Sequence, residues 1–277
     1  MDDFTENNLS KKPAPRQPGA RLMPEGFTPS RPLPARPSSS APADLFLYGL
    51  KCFGHFFRIR KHALLFLFVF VYVPWFIYLE NHVTTDFFVI WSPLDDLIPF
   101  CEFFVLPYYA WYGYLVIGIL FVAFWDGKTC WKAGFHVITG MVLFLVISTV
   151  WPNGLDLRPD TFARDNFCTD LVRLMYSIDT PTNVFPSLHV YNSISMHAAI
   201  ASSPLLKRRP KIRHTSLVVM ILIILSTVFI KQHSIIDVVM AIALGIVLYF
   251  VGFVWLPKLA GVIRRGKKDE KKIEHII

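Results

Sequence analysis

Residues 221–250 read ILIILSTVFIKQHSIIDVVMAIALGIVLYF, two apolar runs that meet at the polar stretch KQHSIID. The complete runs cover about residues 215–230 and 235–256. Each run approaches the roughly 20 apolar residues with which an α-helix crosses the hydrocarbon core of a bilayer. The stretch therefore predicts two transmembrane helices joined by a short polar turn.

The rest of the chain repeats this pattern. Of its 277 residues, 53% are hydrophobic and 17% are charged, a balance too apolar for an ordinary soluble domain of this size. We predict an all-α integral membrane bundle of six transmembrane helices over residues 63–256. The fourth segment is the least apolar, as expected of a helix that lies inside the bundle and carries function. The four further segments are 63–79, 103–125, 133–151 and 186–203.

Three segments outside this bundle have other compositions. Residues 1–43 are rich in Pro, Ser, Arg and Ala and are predicted to be a disordered tail, because they have little apolar surface to bury. Residues 44–62 mix aromatic and basic side chains, which favours a helix lying in the lipid head-group region. Residues 257–277 form a basic tail, which is predicted to be cytoplasmic.

The distribution of Lys and Arg predicts the orientation in the membrane. With six spans, both termini lie on one side, and residues 51–62, 126–132, 207–214 and 258–277 of that side carry 18 Lys or Arg against four on the other side. Cytoplasmic flanks carry such an excess, so we expect a multi-pass cell-membrane protein with both termini in the cytoplasm. The net charge of +8 has the same origin. The basic stretches are not interleaved with base-stacking aromatics, so nucleic acid is not an expected partner.

Two polar clusters fall on the predicted outer face next to the third and fourth spans. The stretch WPNGLDLRPD, residues 151–160, contains Arg158, whose guanidinium offers a planar fork of donors to phosphate or carboxylate oxygens. The stretch NVFPSLHVYNSI, residues 183–194, predicts a helix start, with Ser187 among free backbone N–H groups and His189 in the same turn or the next. The simpler alternatives are an interfacial Arg and a capped helix with an incidental His.

A third polar cluster, KQHSIIDVV at residues 231–239, opens the last span on the same face. His233 and Asp237 are four residues apart, so on a helix they share one side. The carboxylate can then accept a proton from one imidazole nitrogen and leave the other nitrogen free to react. A structural ion pair is the alternative. Together the clusters supply two imidazoles, a carboxylate, a guanidinium and a helix N-terminus, an inventory that fits phosphoryl transfer.

The sequence has no carboxylate cluster and no metal-ligand spacing, so we expect neither a metal nor another cofactor. The cysteines are interpreted as packing residues, although Cys101 and Cys168 could form a disulfide if both lay outside the cell. The four cysteines are Cys52, Cys101, Cys130 and Cys168.

The spacing of these polar residues resembles the type 2 phosphatidic acid phosphatase superfamily. Its pattern is Lys-x6-Arg-Pro, then Pro-Ser-Gly-His, then Ser-Arg-x5-His-x3-Asp. The likeness covers roughly residues 63–256, and its specific part lies in residues 158–237. The matching residues are Arg158-Pro159, Pro186-Ser187-Leu188-His189, Ser226, His233 and Asp237.

The chain departs from the pattern at three positions. Trp151 stands where the first Lys would fall, Leu188 replaces the Gly, and Thr227 stands where the Arg of the third element would fall. This reduced basic set is more similar to the branch that includes inositol phosphorylceramide synthases and many bacterial relatives. That branch contains phosphotransferases as well as phosphatases.

The resemblance implies a role for each matching residue. His233 would attack phosphorus and form a phosphohistidine, while Asp237 orients it. His189 would protonate the leaving lipid alcohol and then activate the incoming acceptor. The residues expected to hold the phosphoryl oxygens are Arg158, Ser187 and Lys231, with Arg164 and Arg173 as further sources of the missing charge.

Three functions are compatible with this reading. The first is a lipid phosphate phosphatase that hydrolyses a phosphomonoester or diphosphate of a lipid at the extracytoplasmic face. The second is a lipid phosphotransferase that passes the phosphoryl head group to an alcohol such as inositol or another lipid. The third is a non-enzymatic transporter, because His and Asp in membrane helices also mark ion paths. Residues 81–100, polar and broken by Pro, are expected to lie over the site.

Overall fold

The computed structural model describes residues 61–256 without a gap, together with residues 35, 44–48, 50–51, 258–259 and 261–262. Residues 44–48 are helical, in keeping with the predicted interfacial helix, whose position at the membrane surface stays a prediction. The predicted tail at 1–43, apart from residue 35, and the basic tail beyond residue 262 lie outside the described residues.

Helices dominate the described chain, and two very short strands interrupt them. A 3-10 helix, Lys61–Phe68, leads into α1, and a second one, Glu102–Phe104, leads into α3. A π-helical turn, Phe250–Trp255, extends α8. The helices are α1 Val69–His82, α2 Pro93–Leu97, α3 Val105–Trp125, α4 Gly127–Val150, α5 Phe167–Ile178, α6 Leu188–Ser202, α7 Pro210–Phe229 and α8 Ile235–Tyr249, and the strands are β1 Phe88–Val89 and β2 Asn153–Gly154.

Among the described residues, five helical stretches are long and apolar enough to cross a membrane, which confirms a helical membrane protein. They are Leu64–His82, Glu102–Trp125, Gly127–Val150, Pro210–Phe229 and Ile235–Trp255. Each overlaps one of the predicted spans.

The bounds differ most at α4, which begins six residues before the predicted start at residue 133. The reason is a helix cap that the apolar pattern did not include. Asp126 precedes the helix and accepts hydrogen bonds from the backbone N–H of Thr129 at 3.1 Å and from its hydroxyl at 2.7 Å.

The fourth predicted span corresponds to α6, which has 15 residues. At a rise of 1.5 Å per residue it is roughly 22 Å long, shorter than the ~30 Å hydrocarbon core. The helix lies inside the bundle, as predicted, and packs against α3, α4, α7 and α8. Val190, Tyr191 and Met196 have no exposed surface. A sixth membrane crossing therefore stays a prediction.

The centre of the bundle contains a polar group that the apolar pattern does not predict. His136 of α4 is fully buried, with Nδ1 2.6 Å from Ser195 Oγ and Nε2 3.0 Å from the Gly245 carbonyl oxygen. Tyr191 donates its hydroxyl to the His136 carbonyl at 2.5 Å. Interhelical hydrogen bonds of this kind join helices within a bilayer, so the group ties α4, α6 and α8 together.

The polar connections gather at one end of the bundle. Strands β1 and β2 pair in parallel there, with Phe88 opposite Asn153. Asp95 of α2 is buried and accepts hydrogen bonds from the Ser234 hydroxyl at 2.6 Å and from the Ile235 N–H at 2.8 Å. Helix α2 is thereby fastened to the start of α8, and the place of residues 81–100 over the site stays a prediction.

At the opposite end of the bundle, Ser203 follows α6 and its hydroxyl donates a hydrogen bond to Asp126 at 2.7 Å. Helix α6 thus runs from the end that holds β1 and β2 to the end that holds the α3–α4 turn. Cys101, Cys130 and Cys168 are free thiols, so the alternative of a disulfide is not realised, and Cys52 lies outside the described residues.

Candidate active site

A cavity of about 550 Å³ opens at the end of the bundle that holds β1 and β2. Its walls come from α1, α3, α4, the segment that follows α5, and the starts of α6 and α8. His189 and His233 both line it. The cavity is large enough for a small head group, and its lining mixes aromatic rings with a few polar side chains, the usual make-up of a ligand site.

The two imidazoles face each other. His233 Nε2 lies 3.4 Å from His189 Nδ1, and the ring centroids are 5.6 Å apart. On its other side, His233 Nδ1 lies 3.4 Å from Asp237 Oδ2. The structure therefore brings His189, His233 and Asp237 into one row, with His233 in the middle.

Local sequence explains why this row forms. Ser234 caps α8, and Asp237, at the third helical position, accepts a hydrogen bond from the Ser234 N–H at 3.0 Å, completing a capping box. Asp237 is thereby held beneath His233, which directly precedes the cap. Ser187 caps α6 in the same manner, with its hydroxyl 3.3 Å from the Val190 N–H, and places His189 in the first turn.

His189 is fixed by aromatic neighbours from α3. Its ring centroid lies 4.6 Å from that of Tyr108 and 4.3 Å from that of Trp111. Among the described residues, His189 Nε2 and Trp111 Nε1 have no hydrogen-bond partner although both are buried. Of the two ring nitrogens of His189, Nδ1 is therefore the one that faces His233.

Arg158 lies behind the cavity wall. Its guanidinium donates to the Tyr176 carbonyl at 3.2 Å, the Asp179 carbonyl at 2.6 Å and Gln232 Oε1 at 2.6 Å. It also stacks over the Tyr176 ring, 4.3 Å from the centroid. Burial lowers the pKa of the guanidinium from its ordinary value, but an Arg keeps its charge in proteins. Asp179 and Gln232 line the cavity, so one layer of side chains separates the positive charge of Arg158 from the cavity.

The structure does not bring Lys231 or Ser187 into the cavity lining. Lys231 has a positive φ of 54° and turns its ammonium toward α2, where it donates to the carbonyls of Asp95 and Ile98, both at 2.6 Å. Burial lowers the pKa of this ammonium, and the nearby Asp95 opposes that shift. Ser187 has no exposed surface and its hydroxyl serves as the cap of α6.

The other two basic candidates also point elsewhere. Arg164 pairs with Glu102 at 3.1 Å. Arg173 pairs with Asp165 at 2.7 Å and Asp170 at 2.8 Å on the outer side of α5, and these two ion pairs raise the pKa of its guanidinium. Neither residue lines the cavity.

The motif residues do not predict the acidic part of the cavity lining. Glu80 at the end of α1 accepts hydrogen bonds from the Thr180 hydroxyl and from Asn183 Nδ2, the latter at 2.9 Å. Asp179 accepts from Tyr108 at 2.7 Å and from Gln232 at 3.0 Å. The sequence does indicate Glu80 as a candidate, because it is a carboxylate in the first turn beyond an apolar run.

No protein-family model matches the chain, and neither a curated protein nor a solved structure matches it. Among the described residues, no group of three or more His, Cys, Asp or Glu side chains is placed to hold a metal ion. The likeness to the type 2 phosphatidic acid phosphatases therefore depends on the motif residues alone, and function has to be argued from their geometry.

Proposed function

We propose that the protein is an integral membrane lipid phosphate phosphatase that acts through a phosphohistidine on His233. The observation that carries the proposal is the position of His233. One nitrogen faces a buried carboxylate, the other faces a second imidazole, and the ring lines a cavity of about 550 Å³. A nucleophile held by an orienting group, with an acid–base partner at its reactive atom, is the arrangement that covalent phosphoryl transfer needs.

The first step uses the free nitrogen of His233. Its Nδ1–H donates to Asp237, so the lone pair of Nε2 is available to attack phosphorus. As the N–P bond forms, the P–O bond to the lipid alcohol breaks. His189 Nδ1, 3.4 Å from Nε2, gives a proton to the leaving oxygen. The negative charge of Asp237 stabilises the positively charged phosphohistidine.

The second step reverses these roles. Water attacks phosphorus, His189 takes one of its protons, and the N–P bond breaks to release inorganic phosphate. The charge on the phosphoryl oxygens is opposed by Arg158 behind Gln232 and by the positive N-terminus of α6. We therefore assign Arg158 to electrostatic stabilisation, Ser187 to the position of α6, and Lys231 to the position of α2.

The bundle supports a site at one membrane face. The five apolar helices and α6 alternate between the two ends, so six crossings would put both chain termini at the end opposite the cavity. The excess of Lys and Arg at that end favours a cytoplasmic location for it. We accordingly place the cavity at the extracytoplasmic face of the cell membrane, with the lipid chain between helices.

A phosphotransferase is the second candidate, and one observation favours it. The cavity wall holds Glu80, Asp179 and Asn183, which can accept hydrogen bonds from the several hydroxyl groups of an acceptor larger than water. Such a lining suits an alcohol acceptor or a substituted phosphoryl group. The first step would be unchanged, and an alcohol would replace water in the second.

The test is phosphate release by the detergent-purified full chain with chelator present, against phosphatidic acid, phosphatidylglycerol phosphate and a polyprenyl diphosphate. The proposal expects release that His233→Ala abolishes while the protein stays folded. If no lipid releases phosphate, alcohols are added and a new phospholipid is sought, which would establish the transferase. If neither product forms from folded protein, the enzymatic proposals fail and the transporter alternative is left.

A further inference from the structure

A carboxylate far from the motif residues in the sequence is bound to the start of α8. Asp95 of α2 is buried, and its Oδ2 accepts hydrogen bonds from the Ser92 N–H at 2.9 Å and from the Ser234 hydroxyl at 2.6 Å. Its Oδ1 accepts from the Ile235 N–H at 2.8 Å. Two of these three donors lie 139 and 140 residues away along the chain. Asp95 thus joins α2 to α8 with both of its oxygens.

The start of α8 offers Asp95 both unpaired donors and positive charge. The first backbone N–H groups of a helix have no carbonyl partner within the helix, so the Ile235 N–H needs an acceptor from elsewhere. The aligned peptide dipoles add a partial positive charge at the same end. The Ser234 hydroxyl accepts from the Ile236 N–H at 3.2 Å, and Asp95 supplies the acceptor for the residue before it. Asp95 therefore completes the cap of α8.

Ser234 connects Asp95 to the row formed by His189, His233 and Asp237. Its hydroxyl donates to Asp95, its N–H donates to Asp237 Oδ2 at 3.0 Å, and it directly follows His233. The same Oδ2 lies 3.4 Å from His233 Nδ1. A displacement of Ser234 would therefore change the separation between Asp237 and the ring that it orients.

The main chain just before Ser234 has a different attachment. The backbone N–H groups of Gln232 and His233 both donate to the Thr227 carbonyl of α7, at 2.9 and 3.0 Å. The main chain of His233 is thus held by α7, whereas the helical turn that carries its carboxylate partner is held by Asp95 of α2. The geometry of the row depends on both attachments, because each fixes one of its two partners.

We propose that Asp95 is a positioning residue, which keeps the first turn of α8, and with it Asp237, at the distance from His233 that phosphoryl transfer needs. The inference rests on the proposed function for the reaction that His233 performs. Asp95 does not line the cavity, so it acts through Ser234 and leaves substrate binding to other residues. A misplacement of a reacting group by about 1 Å can lower a rate about 100-fold, which sets the upper limit of the expected effect.

Steady-state kinetics of the full chain in detergent compare Asp95→Asn with Asp96→Asn. The substrate is phosphatidic acid, or whichever lipid phosphate of the panel above the wild type hydrolyses fastest. We expect Asp95→Asn to lower kcat by about 10- to 100-fold and to change KM less than about twofold, because the cavity lining is untouched. Asp96 is the matched control. It is the next residue of α2, is exposed, and accepts from Trp91 Nε1 at 3.3 Å, so its replacement should leave both constants unchanged.

A double-mutant cycle tests whether Asp95 acts through Ser234. Ser234→Ala removes the hydroxyl that joins them, so adding Asp95→Asn should slow kcat by no more than about threefold further. Two independent losses of stability would instead multiply their effects on kcat. Thermal unfolding establishes which variants are folded. If Asp95→Asn does not fold, Asp95→Glu keeps the charge but lengthens the side chain by one methylene, and it should still lower kcat with KM unchanged.

The ring of His233 reports its position without turnover. In protein labelled with ¹⁵N-histidine, the signal of His233 is the one that His233→Ala removes, and its Nδ1 shift depends on the hydrogen bond to Asp237. Asp95→Asn should move this signal, and Asp96→Asn should leave it in place. A role of Asp95 in stability alone would leave the signal of the folded variant where it is.

The outcomes separate this inference from the proposed function. A His233 signal that moves in Asp95→Asn, without turnover of any lipid by the wild type, would refute phosphoryl transfer and leave the effect of Asp95 on His233 standing. Turnover by the wild type together with an unmoved His233 signal, an unchanged kcat in folded Asp95→Asn, or a raised KM in place of a lowered kcat would overturn the role of Asp95 alone.

Discussion

Replacing Asp237 by Asn removes one negative charge from the row of side chains and changes little else. The carboxylate has no exposed surface, lies 3.4 Å from His233 Nδ1 and caps its own helix through the Ser234 N–H. An Asn keeps the size of the side chain and keeps an oxygen for the cap. The charge that stabilises a protonated or phosphorylated His233 is what is lost.

The size of the effect follows from the hydrogen bond. Bonds to a charged partner contribute about 1.5–3 kcal/mol, and a distance of 3.4 Å places this bond at the weak end of that range. A loss of about 1.5–2 kcal/mol from the transition state corresponds to a rate roughly 10- to 30-fold lower. Substrate affinity should change little, because Asp237 does not line the cavity.

The assay is single-turnover release of phosphate, with thermal unfolding measured on the same samples. Asp126→Asn is the matched control, since it neutralises another buried carboxylate that caps a helix at the far end of the bundle. The control should lower the unfolding temperature without slowing the chemical step. A folded Asp237→Asn protein with an unchanged single-turnover rate would refute the assigned role of the carboxylate.

Three further variants probe the fold by thermal unfolding in detergent. Gly140→Ala should destabilise the folded protein by about 1–3 kcal/mol, because a Cβ there would clash with a ring carbon of the buried Tyr191. An unchanged unfolding temperature would contradict this packing. His136→Leu should lower the unfolding temperature yet leave single-turnover chemistry intact, and loss of chemistry in a folded variant would show that His136 does more than join helices. Lys231→Met should loosen α2 and increase its hydrogen exchange, because two ammonium hydrogen bonds to Asp95 and Ile98 disappear; unaltered protection of α2 would count against the anchor.

The apolar pattern predicted the helices well because a bilayer imposes a simple requirement on length and composition. Five of the six segments form helices that meet it, and the largest shift of a helix start comes from a polar cap, Asp126, that lies outside the apolar run. The fourth segment was predicted to be interior, and α6 is indeed the enclosed helix. Its 15 residues show why composition alone does not decide whether a buried helix crosses the membrane.

The site was partly predictable for a similar reason. The capping box at the start of α8 brings Asp237 back to His233, and His189 of α6 meets them. Contacts between residues that are far apart in the sequence cannot be predicted from the spacing of motif residues. Lys231 is close to His233 in the sequence, but it has a positive φ and its ammonium points away from the cavity, toward α2. Glu80 joins the lining only because residues 180–183 fold back onto α1.

Helix α1 supplies one wall of the cavity and is the least buried of the five apolar helices. Only 6% of its span is buried, against 22–33% for the other four apolar helices, and it packs mainly against α4 and the turn that precedes it. Leu79 is its one fully enclosed residue among those described. Because few packing contacts hold it, we expect α1 to be the most readily displaced of the five apolar helices. Moving α1 away from Trp111 and Tyr112 would break the hydrogen bonds of Glu80 and open the cavity toward the bilayer, while the imidazole pair stays in place.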